Sequence, residues 1–554
     1  MVSREKRFYH ILLPLITLLV ALFLVFYLFY LTVVKGENQN PYDNPKVATR
    51  VVRGTITDRN GKILAIERPY YQLVFLLNSV KDIEQAASLV SPIIKISTQQ
   101  IVENSKRFSS YYLVKKELTQ SEFEQLSKLK IEGLLLEKKY GRYYPQHYHA
   151  THIIGFTNSE NRGLEGLEYL YDDLLYPIPR LDESVTYGNN ITLTLDLDLQ
   201  YLLDQQVVAI DQQHITDAIA AIILDAQTSE ILASSSFPWY DLNNYGSATE
   251  QQRVNRVFSS MYEPGSVFKI YSLASELENN ENLENFYCDG SYTFTTPSNQ
   301  NVTINCVSAH GEIDPQKMLA VSCNGAVAHW ALQTDNQQFY QTLKDFGFGQ
   351  RLGKDLVGLT KGSLRELENW SFRSKPTISF GQEIGITFLQ IANAATVFTT
   401  GGSLMESYIV KEVKDPSGKV IIQNSPTVLK ERVISPSVVL TVIEGMIDAT
   451  KNEGTAIHSS VAGVTVAAKT GTAQIASSSG GYAPGEFLAS TIAIVPAENP
   501  KYIIYMGAIN PSGTTIWGSN ITAPAIGALI EDMVRQGKLY STVSEHINLS
   551  LDSD

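Results

Sequence analysis

The sequence predicts a mixed α/β chain of the α+β kind, with an antiparallel sheet built partly from late strands and a buried central helix. Three observations carry this. Ile219 to Leu224 is a continuous β-branched and aliphatic run, Asp225 to Ser229 reads as a turn, and Ile231 to Ala233 resumes the run, which makes a hairpin. Ser490–Val495 and Tyr502–Ile509 read as two further strands around a Pro496…Pro500 turn. Ala523–Arg535 then follows as an amphipathic helix, with Pro524 near its start, Gly537 at its stop, and Ile526, Leu529, Ile530, Met533 and Val534 on one face. Residues 267–277 carry Val267, Phe268, Ile270, Tyr271, Leu273, Ala274 and Leu277, which cover all sides of a helix and place it in the domain centre.

The chain has 554 residues, enough for two to four domains, and globular apolar and charged fractions of 44% and 18%. Lys+Arg number 44 against 57 Asp+Glu, and the resulting net charge of −13 argues against a nucleic-acid backbone as partner, since phosphate binding needs clustered cations. Three cysteines cannot form a disulfide framework. From Ile11 to Val34 no residue is charged, and as a helix this run is about 36 Å long, enough to cross a hydrocarbon core of about 30 Å. Arg4, Lys6 and Arg7 precede it and no small-residue cleavage site follows it. The expectation is an uncleaved single-pass anchor, with residues 1–10 cytoplasmic and the rest beyond the cytoplasmic membrane.

Residues 36–50 read as a juxtamembrane linker. Arg53 to Ala65 reads as two short strands around Asn60-Gly61, 81–130 as helical, and Tyr187-Gly188-Asn189-Asn190 as a domain break. The expected organisation is thus a cytoplasmic segment 1–10, an anchor 11–34, a first external domain 35–190, a second 191–540, and a tail 541–554. Ser477 to Gly481 reads as a flexible loop.

Three elements can carry chemistry. In Ser266-Val267-Phe268-Lys269 the two polar residues share a helix face, so an ammonium can sit near the hydroxyl. Pro264-Gly265 puts Ser266 at the helix start, where backbone N–H groups favour developing negative charge. A desolvated Lys269 can act as the base that activates the serine. Ser322-Cys323-Asn324 offers a proton-shuttling hydroxyl and an amide, or simply an N-cap. Lys469-Thr470-Gly471-Thr472 follows the strand-like Val464–Ala468. A strand edge with Lys469, then Gly471 without a side chain, lets a substrate backbone lie alongside, and the lysine and two hydroxyls can hold a carboxylate, or the stretch is an ordinary strand end.

Taken in order, Ser-x-x-Lys, Ser-x-Asn and Lys-Thr-Gly match the set described for penicillin-binding proteins and serine β-lactamases. Tyr262–Lys269, Ser322–Asn324 and Ala468–Gln474 closely resemble the monofunctional, class B penicillin-binding proteins. So do Thr194–Gln200 and Ser379-Phe380-Gly381-Gln382 with Thr387 and Gln390. Arg53-Gly54…Asp58-Arg59-Asn60-Gly61, then Arg142…Tyr144-Pro145…Ala150…His152…Gly155, then Gly163–Glu168 resemble the three motifs of that class's pedestal (dimerisation-type) domain. The resemblance covers nearly all of residues 50–535. Ala468 departs from it, standing where the family usually has Gly, and Leu175–Arg180 lacks the Gly-rich linker common between the two domains.

The resemblance implies a membrane-anchored peptidoglycan D,D-transpeptidase with a penicillin-binding transpeptidase fold on an elongated pedestal. It makes Ser266 the nucleophile on the penultimate D-Ala of a pentapeptide stem and Lys269 the base. Ser322 and Lys469 pass a proton to the leaving amine, Asn324 holds the peptide amide, and Thr470 and Thr472 bind the terminal carboxylate beside Gly471. The backbone N–H groups of Ser266 and Thr472 form the oxyanion hole. β-Lactams would acylate Ser266. No metal or organic cofactor is implied. Gly481-Tyr482…Ala489-Ser490, Pro496–Pro500 and Ala523-Pro524 look more like the septal than the elongation type. That implies a multi-spanning membrane glycosyltransferase and divisome proteins as partners, through residues 11–34 and the pedestal.

Other readings stay in view. A D,D-carboxypeptidase or β-lactamase would use the same serine with water, and a non-catalytic β-lactam sensor or divisome scaffold would keep the fold alone. His147-x-His149-x-x-His152 hints at zinc, but no carboxylate or thiolate nearby completes a site. Cys288 and Cys306 flank a Thr-rich segment and can pair outside the cytoplasm, Cys323 reads as packing, and His310-Gly311 as a structural turn.

Overall fold

The computed structural model describes residues 18–30, 50–180, 184–280, 283–476 and 481–540. Of the uncharged run 11–34, residues 18–30 are described and are helical and exposed, with Phe23 stacked on Tyr27. The rest of that run, the segment 1–10, most of the loop at 477–481 and the tail 541–554 lie outside the described residues. Among the described residues no helix is long and apolar enough to cross a membrane.

In the N-terminal region, β1 (Ile56–Thr57) and β2 (Ile63–Leu76) pair antiparallel. The turn between them closes on the Asp58 carboxylate, which accepts from the Asn60 and Lys62 N–H groups. Two helices follow, α1 (Ile83–Ile94), capped by Asp82, and α2 (Thr98–Ser105), capped by Ser97. The expectation of a helical 81–130 is interrupted by β3 (Tyr111–Lys115), an edge strand on β2. Its Tyr-Tyr-Leu-Val run has the β propensity, and Tyr112 packs in the small core of Leu73, Phe75, Ala87 and Val90. A capping box of Thr119 and Glu122 starts α3 (Gln120–Leu126), and β4 (Leu134–Tyr143) pairs with β2 along its length.

The second region opens with β5 (Asn190–Leu193) and α4 (Leu197–His214), whose N-cap Asp196 accepts from the Asp198 and Leu199 N–H groups. The hairpin read at 219–233 is β6 (Ala218–Asp225) and β7 (Ile231–Phe237). The buried helix is α5 (Lys269–Asn279), entered through a 3-10 turn, Gly265–Phe268. Four short strands, β8 (Phe286–Cys288), β9 (Ser291–Thr295), β10 (Asn301–Asn305) and β11 (Gly311–Ile313), form two small hairpin ladders. Next come α6 (Pro315–Val321), α7 (Asn324–Gln333), β12 (Val410–Lys414) and β13 (Val420–Gln423). The chain ends on β14 (Ala467–Ala476), β15 (Tyr482–Val495), β16 (Tyr502–Ile509) and α8 (Gly518–Arg535).

The central sheet has the order β14-β15-β16-β6-β7, antiparallel throughout. Its two faces follow from the strand period of two. Ile219, Ala221 and Ile223 pack with Leu203 and Val207 of α4 and Ile526 and Leu529 of α8, whereas Ala220, Ile222 and Leu224 pack with Phe268, Ile270 and Leu273 on the α5 side. Covered on both sides, β6 reads as an unbroken apolar run rather than an alternating one. The late helix begins at Gly518, five residues before the expected start, so Pro524 lies inside it. Pro524 sits on the exposed side, and the carbonyl that loses its helical partner belongs to Asn520, also exposed, where water can replace the bond.

The other large sheet is not confined to the first region. Its order is β13-β12-β5-β1-β2-β3, with β4 also on β2. Strands from beyond residue 400 therefore complete a sheet begun at residue 56, with β5 pairing parallel to β1 and antiparallel to β12.

Candidate active site

Ser266 stands in the 3-10 turn ahead of α5, and this turn packs against the edge strand β14. Two glycines make the approach possible. A Cβ on Gly471 would lie 2.9 Å from Val267 Cγ2 and 3.0 Å from both the Pro264 carbonyl and Ser490 Oγ, so any side chain there would push the Ser266 turn off the strand. A Cβ on Gly381, at φ +82°, would lie 2.1 Å from the Gly265 carbonyl oxygen, and Gly265 N–H donates to the Gly381 carbonyl at 3.0 Å. Gly471 lies on the cleft wall, and its lack of a side chain has a second consequence there. The missing side chain makes room for the serine's own turn.

The three motifs converge on Ser322. That residue caps the C-terminus of α6 in the left-handed region, φ +60°, a conformation that costs a non-glycine residue about 1–2 kcal/mol. The result is a hydroxyl held between two lysine side chains. Lys269 Nζ donates to Ser322 Oγ at 3.0 Å and to its carbonyl at 2.6 Å, and Lys469 Nζ donates to the same Oγ at 3.0 Å and to the Thr470 carbonyl at 2.9 Å. The hydrogen bonds of Lys269 Nζ go to Ser322, 53 residues away in the chain.

Both lysines are fully buried, and among the described residues neither has a carboxylate partner. Burial pushes the Lys269 ammonium down to about 8. Burial first, and then the positive charge of Lys269, hold the Lys469 ammonium well below the ordinary lysine range. The pair thus resists carrying two protons, which leaves a neutral amine available beside a hydroxyl that can pass protons between them.

The remaining expected residues line one cleft of about 640 Å³, with Ser266, Ser322, Asn324, Thr470, Gly471 and Thr472 all on its wall. Asn324 Nδ2 donates to the Asn305 carbonyl at 2.9 Å, which leaves Oδ1 to accept from an amide N–H. Thr472 Oγ1 accepts the Gly518 N–H at 3.2 Å, so its proton is the part directed to a ligand. Ala468 is fully buried in the core between the sheet and α4 and α8, so the methyl that the family's usual Gly lacks is packed.

Sequence reasoning missed part of the wall. Val307, Ser308 and His310 come from the loop between β10 and β11, and Trp517 from just before α8. His310 reads from sequence only as part of a structural turn, and no local pattern marks the other three. Only the pairing of β14 with β15, and the placement of α8 over that edge, brings Trp517 to Thr472. The three histidines at 147–152 go separate ways. His147 Nδ1 meets Asp241 at 3.0 Å, His149 Nδ1 meets Asp204 at 2.7 Å, and His152 Nε2 meets the Gln252 carbonyl at 2.6 Å.

Comparison with known proteins agrees with this architecture. The family described as the penicillin-binding protein transpeptidase domain matches residues 219–531, more than half of the chain, and the penicillin-binding protein dimerisation domain matches residues 48–176. The chain is 28% identical over 506 residues to stage V sporulation protein D of Bacillus subtilis, covering 87% of this chain and 77% of that one. It is 27% identical over 510 residues to peptidoglycan D,D-transpeptidase FtsI of Escherichia coli, covering 87% and 83%. In fold it is similar to penicillin-binding protein 3 of Mycobacterium tuberculosis complexed with aztreonam, at a TM-score of 0.71 and 22% identity over 89% of this chain and 97% of that one. A dimerisation domain followed by a transpeptidase domain, with a serine on one cleft wall and two buried lysines bonded to the Ser322 hydroxyl of that wall, places the chain in the penicillin-binding protein family, as a serine-type transpeptidase of class B.

Proposed function

We propose that this chain cross-links peptidoglycan stem peptides through an acyl-enzyme on Ser266 and that it is acylated there by β-lactams. The observation that carries the reading is the Ser322 hydroxyl at 3.0 Å from both Lys269 Nζ and Lys469 Nζ, at the base of the Ser266 cleft. The Ser266 proton passes to neutral Lys269 as Oγ bonds to the carbonyl of the penultimate D-Ala, with the backbone N–H groups of Ser266 and Thr472 taking up the oxyanion. As the C–N bond breaks, the proton reaches the leaving D-Ala amine through Ser322 and Lys469. Asn324 Oδ1 holds the stem's amide, and the Thr470 and Thr472 hydroxyls hold its terminal carboxylate. An amine from a neighbouring stem then attacks the ester, and Ser266 leaves with its proton restored.

The anchor reading of residues 11–34 belongs to the same proposal, with the catalytic region beyond the cytoplasmic membrane. So does a septal role beside a membrane glycosyltransferase and divisome proteins, which rests on the septal-type likeness of Gly481-Tyr482, Pro496–Pro500 and Ala523-Pro524. The test labels the detergent-solubilised full chain with fluorescent penicillin. Label should appear on the wild type, persist for minutes and be absent from Ser266→Ala. Equal labelling of both would overturn the nucleophile assignment, rapid loss of label would indicate a β-lactamase, and release of D-Ala without cross-linking of lipid-II-derived strands would indicate a carboxypeptidase. Filaments on depletion would support the septal role, and rounded cells would oppose it.

A further inference from the structure

Four side chains beside the cleft stand in a geometry that the transpeptidase reaction does not use. Cys288 Sγ lies 3.7 Å from Cys306 Sγ, Cys306 Sγ lies 3.7 Å from Cys323 Sγ, and Cys288 Sγ lies 3.5 Å from His310 Nδ1. All four of these atoms fall within 4.8 Å of one another, with Cys288 and Cys323 buried. The three cysteines are free, and 3.7 Å is far from a disulfide bond of about 2.0 Å, so the pairing of Cys288 with Cys306 considered from sequence is not formed.

Three of the six spacings are those of a coordination shell, and the others stay within 4.8 Å. Tetrahedral zinc, with Zn–S of about 2.3 Å and Zn–N of about 2.0 Å, sets its ligands about 3.8 Å apart for S···S and about 3.5 Å for S···N. The surroundings suit thiolates. Gly325 N–H donates to Cys306 Sγ at 3.3 Å and Ala326 N–H to Cys323 Sγ at 3.5 Å, both from the first turn of α7, where the helix dipole also favours negative charge. We propose that Cys288, Cys306, His310 and Cys323 bind one zinc ion in a closed, structural site of three thiolates and one neutral imidazole.

Its consequence lies in where the ligands sit. Cys323 stands between Ser322 and Asn324, whereas Cys306 and His310 bracket the loop whose Val307 and Ser308 line the cleft. The Asn324 Nδ2 bond to the Asn305 carbonyl already joins the two segments, and a metal one residue further on at each side would fix that join. With four protein ligands no position is left for water, so the ion holds the Ser-x-Asn turn in place and takes no part in the chemistry. The metal site stands independently of the Ser266 reading, and only the acylation arm below rests on it.

The test purifies the full chain in detergent under reductant, loads it with zinc and removes loose metal. About one zinc per chain is expected, and cobalt substitution should give the strong visible and thiolate charge-transfer absorption of a tetrahedral thiolate site. Cys288→Ser and His310→Ala should each weaken zinc binding by more than about tenfold, while Ser308→Ala, a cleft residue outside the ligand set, should retain it. Because a ligand variant can simply fail to fold, the wild type is also stripped with a chelator and reloaded. Stripping should slow penicillin acylation, and reloading should restore it. Substoichiometric zinc with three titratable thiols, a disulfide leaving one thiol, or zinc retained by both ligand variants would overturn the site. Acylation unchanged by stripping would overturn its positioning role.

Discussion

Two clusters of buried cations divide the molecule. In the dimerisation region, Arg53 Nε meets Glu168 at 2.6 Å and Arg53 Nη1 meets Asp172 at 2.6 Å, while Arg142 Nε meets the other Glu168 oxygen at 2.5 Å. Carbonyls of Asn161, Glu168 and Gly54 take further guanidinium protons. In the transpeptidase region, Lys269 and Lys469 are equally buried but share the Ser322 hydroxyl, and each donates to one carbonyl. Arginine cannot give up its proton, so burial obliges it to find carboxylates, and the result is a clamp among three sequence motifs. Lysine can give up its proton, so burial without a carboxylate makes a base. One cluster holds the chain together, and the other holds a reactive amine at the expense of stability.

The largest expected effect breaks that division at the reactive end. Lys269→Met should slow penicillin acylation by about 10²–10⁴-fold and, at neutral pH, stabilise the fold by about 1–3 kcal/mol. The sign follows from linkage. With a folded value of about 8 against 10.5 ordinarily, the unfolded chain binds more protons between those values. The lysine's penalty is therefore full below about 8 and fades as pH rises toward 10.5. Acylation kinetics and a urea melt of the same preparation check both halves.

At the structural end, Glu168→Ala should cost about 3–5 kcal/mol, since it takes the carboxylate from buried Arg142 and leaves Arg53 with Asp172 alone, while the folded fraction acylates at the wild-type rate. A large loss of rate at unchanged stability would erase the contrast between the clusters. A smaller effect sharpens it. Gly471→Ala should cost about 1–3 kcal/mol by overpacking Val267 and Pro264, and should slow acylation because the Ser266 turn must shift. The wild-type rate in that variant would show that the serine turn tolerates the shift.

Much of this was legible from the chain. Ile219–Ala233, the all-round apolar 267–277 and the order of Ser266, Ser322 and Lys469 depend on local pattern, and local pattern survives folding. What escaped depends on contacts between distant segments. Nothing near Lys269 in sequence says that its bonds go to Ser322, and nothing near Gly471 says that Val267 occupies the space its side chain would fill. The mixed sheet, which sets Val410–Lys414 beside Ile191, ignores the break read at 187–190. Cys288, Cys306, His310 and Cys323 follow no short metal spacing, because two hairpin ladders and a helix start bring them together.

The central claim is that burial, not a neighbouring carboxylate, makes Lys269 the base for Ser266. The pH dependence of the penicillin acylation rate tests it most directly. The rate should climb about tenfold per pH unit and level near pH 8, the point to which burial brings Lys269. A rate that stays flat through that region, or that continues to climb toward the ordinary lysine value of 10.5, would contradict it.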